Sequence, residues 1–274
     1  MSIWLEWHPH PDALIGLVLF QGVYLLGVGP LRERYGLADS VDPRQIATFT
    51  LGVMVLFFAL VSPLHTIADR YLFSGHMLQH VVLTLVAPPL LLLGTPGWLI
   101  RPFLRLSPAF RFAWFATHPV VAAGVFSFIF SVWHLPSLYN ASVTNHGVHI
   151  VEHLLFIASA VLLWWPIVSH MPELPRLTYP LQMIYLFLIS VAQIIIFAPI
   201  TFARTPIYDW YAQAPRLWSI SPVVDQQLGA IIMKLGGGAI LFVLFVVAFF
   251  RWYNREEEES RAEALEYGRT GIGS

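Results

Sequence analysis

The chain has 274 residues, of which 57 % are apolar, 15 % aromatic and only 11 % charged, whereas about a quarter are charged in a typical soluble globule. Fifteen basic and 16 acidic residues leave a formal net charge of −1, which excludes a disordered polyelectrolyte and a nucleic-acid binder. The absence of cysteine removes disulfides, thiolate zinc sites and iron–sulfur clusters, and a mean hydropathy of +0.67 leaves an integral membrane protein.

Seven apolar runs follow in order: 13–29, 46–64, 74–95, 119–138, 147–168, 179–202 and 226–252. Each is near the ~20 residues that cross ~30 Å of hydrocarbon as a helix, and lipid offers the backbone no other way to pair its polar groups. The expected fold is an all-α seven-helix bundle, one domain over 1–252 with a charged tail over 253–274. No basic residue precedes the first run and no small-x-small site follows it, so it reads as a retained span, not a cleaved signal. Pro63 at the end of the second run, Pro88-Pro89 in the third and Pro199 in the sixth predict kinks.

The third run opens on Gly75-His76-Met77-Leu78-Gln79-His80. His76 and His80 are i, i+4, so both imidazoles share a helix face ~6 Å apart, a spacing two ligands of one metal can use. Met77 lies ~100° around the helix from His76 and could add a soft thioether; filling the core is its alternative role. The fourth run ends on Trp133-His134-Leu135-Pro136. In the fifth, His146, His149 and His153 fall within ~60° of helical arc, and Glu152 extends that stripe. Asp225-Gln226-Gln227-Leu228-Gly229 opens the seventh, where Asp225 can cap the helix or serve a site. Lys234 lies ~13 Å deeper along the helix axis; an ammonium at that depth demands a partner, and Glu152 is the expected one. Gly236-Gly237-Gly238 would admit a close neighbour helix.

Loop charge sets the orientation. Eleven arginines (32, 34, 44, 101, 105, 111, 176, 251, 255, 261 and 269) fall on one side, against Arg70, Arg204 and Arg216 on the other. The expected topology is therefore N-terminus outside and C-terminus cytoplasmic. His118 and His170 then lie inside, while His8, His10, His65, His76, His80, His134, His146, His149 and His153 lie at or just beneath the outer face. Ionisable residues within apolar spans usually mark function. His76, His80, His134, His149 and His153 at one depth therefore make a candidate metal site, with a hydrogen-bonded structural network as the alternative. Imidazoles with a thioether, a carboxylate and no thiolate suit copper first, then zinc or iron. Haem is a competitor, using one histidine from the third span and one from the fifth as opposed axial ligands.

Taken together, His76-Met77-Leu78-Gln79-His80, Ala87-Pro88-Pro89-Leu90, Trp133-His134-Leu135-Pro136-Ser137-Leu138-Tyr139, His149-Ile150-Val151-Glu152-His153 with Trp164-Trp165-Pro166, and Asp225-Gln226-Gln227-Leu228-Gly229 resemble the CtaG-type cytochrome c oxidase assembly factors. These are multi-span proteins associated with caa-type haem–copper oxidases, and the resemblance covers residues 10–252. It implies a non-enzymatic, chaperone-like assembly factor in a bacterial plasma membrane, with His76, His80, His134, His149, His153 and Asp225 as functional positions. Its implied cargo is copper, and its implied partners are an oxidase subunit or another copper chaperone, with self-association possible in the bilayer. A haem- or metal-dependent membrane oxidoreductase and a metal transporter are the competing readings. Only His118, His170 and Met171 lie on the inner side to complete a transport path.

Overall fold

The computed structural model describes Trp7 and residues 10–270, with side chains described to Glu266; His8 and the last four residues lie outside the described part. The described residues form twelve helical elements: α1 (Pro11–Arg34), α2 (Pro43–Val61), α3 (Pro63–Arg70), α4 (Phe73–Gly94), α5 (Gly97–Leu104), α6 (Ser107–Ala116), α7 (Pro119–Trp133), α8 (Pro136–Thr144), α9 (His146–Val168), α10 (Tyr179–Phe202), α11 (Asp209–Gln213) and α12 (Pro222–Glu266). No strand occurs among the described residues. Six helices are long and apolar enough to cross a membrane, and α6 with α7, bent by 70° between them, makes up to seven.

Helix starts are written by proline and by short polar caps. α1, α2, α3, α7, α8 and α12 each begin on a proline, whose missing N–H costs nothing in a first turn and whose φ is already helical. Asp42 accepts from Arg44 N at 2.8 Å, and Asn145 accepts from Val148 N at 3.2 Å, so α2 and α9 satisfy part of their open first turns locally. α4 lacks any such local cap, and its cap comes from another helix, as described below.

The expected fourth span, 119–138, is corrected. α7 stops at Trp133, His134 is its C-cap, Leu135 is extended at φ −66° and ψ 134°, and Pro136 opens α8. Proline disfavours helical backbone in the residue before it, which forces that break. Pro63 likewise starts a separate short helix rather than kinking the second span. Pro88 and Pro89 stay inside α4 because a wide π-helical turn, Val82–Val86, precedes them. The helix of the seventh span starts at Pro222 and runs for 45 residues, so the charged segment beyond 252 is a polar extension of the same helix.

α4 is the axis of the bundle. About 61 % of its apolar window is buried against 17 % for α1, and it packs on α2, α3, α9 and α12. Close approach is bought with glycine at two points. A Cβ at Gly94 would sit 2.3 Å from Phe49 N, and one at Gly229 would sit 2.4 Å from Phe73 Cδ1. Tyr24 of α1 stacks on Phe49 with ring centroids 3.7 Å apart and donates to Gly94 O at 2.8 Å, tying the two peripheral helices to the axis.

One interior contact explains how α4 tolerates its prolines. Thr84 O would accept from residue 88 in an α turn or residue 89 in a π turn, and both are prolines without an N–H. The indole of Trp164 on α9 fills that gap, donating to Thr84 O at 2.8 Å. Tyr185 on α10 donates to Leu163 O at 2.9 Å one turn before Pro166, another side-chain bond made to a span's backbone beside a proline.

Candidate metal centre

The four buried imidazoles at the start of α4 and α9 face one another. His76 and His80 have ring centroids 4.2 Å apart, His149 and His153 4.3 Å apart, and between the helices His76 lies 5.7 Å from His149 and His80 5.9 Å from His153. His134, where α7 ends, places its ring 5.8 Å from that of His80. The three helices thus bring their histidines into one pocket, as the sequence predicts. Within it His76, His80, Glu152 and His153 each offer a ligand atom, and these atoms lie within 4.8 Å of one another.

The polar accounting of this pocket is incomplete within the protein. Both ring nitrogens of His76, both of His80, His134 Nε2 and Glu152 Oε1 are buried without a hydrogen-bond partner. Buried polar atoms are ordinarily paired, because each unpaired one costs about 1–3 kcal/mol. Six such atoms in one place fit a cation better than they fit a structural hydrogen-bond network.

Surrounding residues aim the ligands. The Ser142 hydroxyl on α8 donates to Glu152 Oε2, leaving Oε1 turned toward His80 Nε2 at 3.9 Å. His134 Nδ1 pairs with Phe130 O at 2.7 Å; a carbonyl can only accept, so Nδ1 carries the proton and Nε2 is the free lone pair. Asp69 Oδ1 on α3 lies 3.4 Å from His149 Nδ1, and His149 Nε2 lies 3.1 Å from His153 Nε2. With Nδ1–H of His149 pointed at the carboxylate, His149 Nε2 accepts from His153 Nε2. Such a carboxylate–histidine–ligand line fixes ring orientation and raises ligand basicity.

Gln79 Nε2 donates both to Ala59 O at 2.8 Å and to His65 Nδ1 at 2.9 Å. Burial, then His149 and His10, push His65 on α3 down to about 4, so its ring is neutral at pH 7. For Asp69, burial acts upward, but the His149 hydrogen bond and the neighbouring imidazoles outweigh it and hold the carboxyl below its ordinary value.

Asp225 and Lys234 come out differently from the expected assignments, and Met77 takes the second of its two expected roles. Asp225 is not turned to the imidazoles: its Oδ2 accepts from Phe73 N at 2.7 Å, and its Oδ1 from Ser74 N at 3.0 Å and Ser74 Oγ at 2.5 Å. It is the missing cap of α4, supplied by α12, and its charge suits a helix N-terminus. Met77 is fully buried in the core, with its Cγ against the Gly229 position of α12. Lys234 does not pair with Glu152; its Nζ donates to Ser190 O at 2.7 Å and Ser190 Oγ at 3.3 Å, because a neighbouring helix offers a closer carbonyl than the distant carboxylate.

Sequence reasoning missed Asp69, Ser142, Gln79 and the inward role of His65. His65 and Asp69 are i, i+4 on α3, the same spacing that marks His76 and His80, and that signal was available. The Ser142 contact is not legible in the same way, since the expected fourth span stops at 138 and leaves Ser142 in the connection to the fifth.

No solved structure matches the chain. Two uncharacterized proteins, from Mycobacterium bovis (strain ATCC BAA-935 / AF2122/97) and Mycobacterium tuberculosis (strain CDC 1551 / Oshkosh), are each 27 % identical over 237 residues. The alignments take in 80 % of this chain and 35 % of theirs, so the chain spans about a third of the length of the curated relatives it matches. Residues 22–255 match the family described as cytochrome c oxidase caa3 assembly factor, a stretch that includes all of α2 to α11 and the metal-capable pocket. The chain belongs to the cytochrome c oxidase caa3 assembly factor family.

Proposed function

We propose that this chain is a membrane assembly factor that takes up copper in the pocket of His76, His80, Glu152 and His153 and releases it to a haem–copper oxidase under construction. The observation that carries the reading is the set of buried ligand atoms within 4.8 Å of one another, most of them without a partner in the protein. Three imidazoles and a carboxylate are borderline donors that suit copper, zinc and iron; the family's oxidase link selects copper. Ring centroids 4–6 Å apart are too close to hold a porphyrin between them, which disfavours a haem oxidoreductase. Without thiolate ligands the metal is held loosely enough to be passed on, and delivery requires no catalysis by this chain.

The arginine asymmetry supports placing the histidine end on the extracytoplasmic side of a bacterial plasma membrane, where an oxidase subunit or a copper chaperone would meet it. The test has two arms. Purified wild-type protein is expected to carry copper that His76→Ala/His80→Ala loses. Membranes lacking the chain are expected to assemble oxidase with normal haem and depleted copper. Equal copper in the two proteins, or joint loss of haem and copper from the oxidase, overturns the reading.

A further inference from the structure

A second group of metal-capable side chains stands outside the buried pocket. His10, at the N-cap of α1, Asp12, in its first turn, and His146, the first residue of α9, each offer a ligand atom within 4.8 Å of the others. His146 Nε2 lies 3.2 Å from Asp12 Oδ2, and the His10 and His146 rings stack with centroids 5.6 Å apart. Unlike the inner set, these side chains reach solvent: His146 is 60 % exposed and Asp12 41 %.

An unbroken line of rings joins the two groups. The His10 ring is 4.6 Å from His65, His65 is 5.6 Å from His149, and His149 is 4.3 Å from His153. His65 Nδ1 is engaged by Gln79, so His65 stands between the two groups without a free nitrogen there, and Asp69 beside His149 adds a negative charge along the line. Lipid-facing surface has no reason to gather imidazoles from α1, α3 and α9 at one place. A cation bound for a closed polar pocket needs an entry, and among the described residues this line carries ligand-type side chains from the exposed group to the buried one.

We propose that His10, Asp12 and His146 form an exposed loading site for a divalent copper ion, from which the ion passes along His65 and His149 to the buried pocket. This rests on the copper reading above. Two imidazoles and one carboxylate, solvent-exposed and only partly enclosing the ion, give a weaker and faster-exchanging site than the inner set, and Cu²⁺ stands highest in affinity among divalent first-row ions for such donors.

The experiment titrates the full-length, detergent-solubilised chain with copper(II) sulfate, counts bound copper by EPR, and times its removal by EDTA. Wild type should bind two equivalents, one stripped quickly and one slowly. His10→Ala/His146→Ala should lose the fast equivalent and fill the slow one at least tenfold more slowly; Asp12→Asn, which alters one exposed carboxylate, should weaken the fast equivalent alone. His76→Ala/His80→Ala should lose the slow one and keep the fast one. Two equivalents with wild-type loading in His10→Ala/His146→Ala would falsify the loading site while leaving the buried pocket standing. In wild type, a fast equivalent without a slow one refutes the buried reading instead, and no copper at all sinks both.

Discussion

Replacing Asp225 with alanine separates capping from ligation. The carboxylate receives Phe73 N, Ser74 N and Ser74 Oγ where α4 has no cap of its own. The Ser74 hydroxyl can rotate to another acceptor, but the two N–H groups cannot. Each buried N–H left open costs about 1–3 kcal/mol, so Asp225→Ala should destabilise the protein by about 4 kcal/mol. At 2–4 °C per kcal/mol for a domain of this size, the melting temperature should fall by about 8–16 °C. Asp225→Asn keeps one acceptor oxygen and should lose about half of that. Melting followed by circular dichroism in detergent gives the stability order, and copper content measured well below the melting range should be unchanged in both variants. If either variant loses its copper while melting like wild type, Asp225 is a ligand and the capping argument fails.

Four more outcomes follow from the same contacts. Ser142→Ala, which frees the carboxylate that Ser142 aims, should weaken copper binding by roughly 10–100-fold, read by competition with a chromophoric chelator. Trp164→Phe should cost about 1–3 kcal/mol by orphaning Thr84 O, and restoring backbone donors with Pro88→Ala/Pro89→Ala should recover part of that loss in a double-mutant comparison of melting curves. Gly94→Ala drives a Cβ to 2.3 Å from the Phe49 backbone and should destabilise by about 3 kcal/mol or more as α2 and α4 part, with the Tyr24 hydrogen bond lost as well; equal melting temperatures would count against it. Lys234→Met should leave copper stoichiometry untouched, because its ammonium serves Ser190 on α10; a change in bound copper would reinstate a link to Glu152.

The architecture was legible wherever period and length decide the outcome. Hydropathy located α2, α4, α9 and α10, and the starts of α1 and α12, to within a few residues, since lipid leaves long apolar runs no alternative to a helix. It failed at 119–138, where apolar character continues through Leu135-Pro136-Ser137-Leu138 but backbone sterics do not permit one helix. In the site, the i, i+4 pairs on α4 and α9 were visible because helical spacing alone puts them on shared faces. Contacts between distant elements were not: nothing local to Asp225 says that it caps a helix beginning 152 residues earlier, and nothing local to Lys234 selects Ser190 over Glu152. Those choices are made by packing, through Gly229 against Phe73 and through the pairing of α10 with α12.

The uninterrupted run of α12 has a mechanical meaning. At 1.5 Å per residue its 45 residues extend ~68 Å, more than twice the ~30 Å hydrocarbon thickness, and Arg255–Glu259 and Glu257–Arg261 pairs stiffen the length that stands in water. One end of this lever grips the first turn of the helix bearing His76; the other stands clear of the lipid. Torque applied there by a docking protein would travel down a single hydrogen-bonded ladder, softened at the Ile232–Gly236 wide turn, and arrive one turn from the histidine pocket at the other end of the helix.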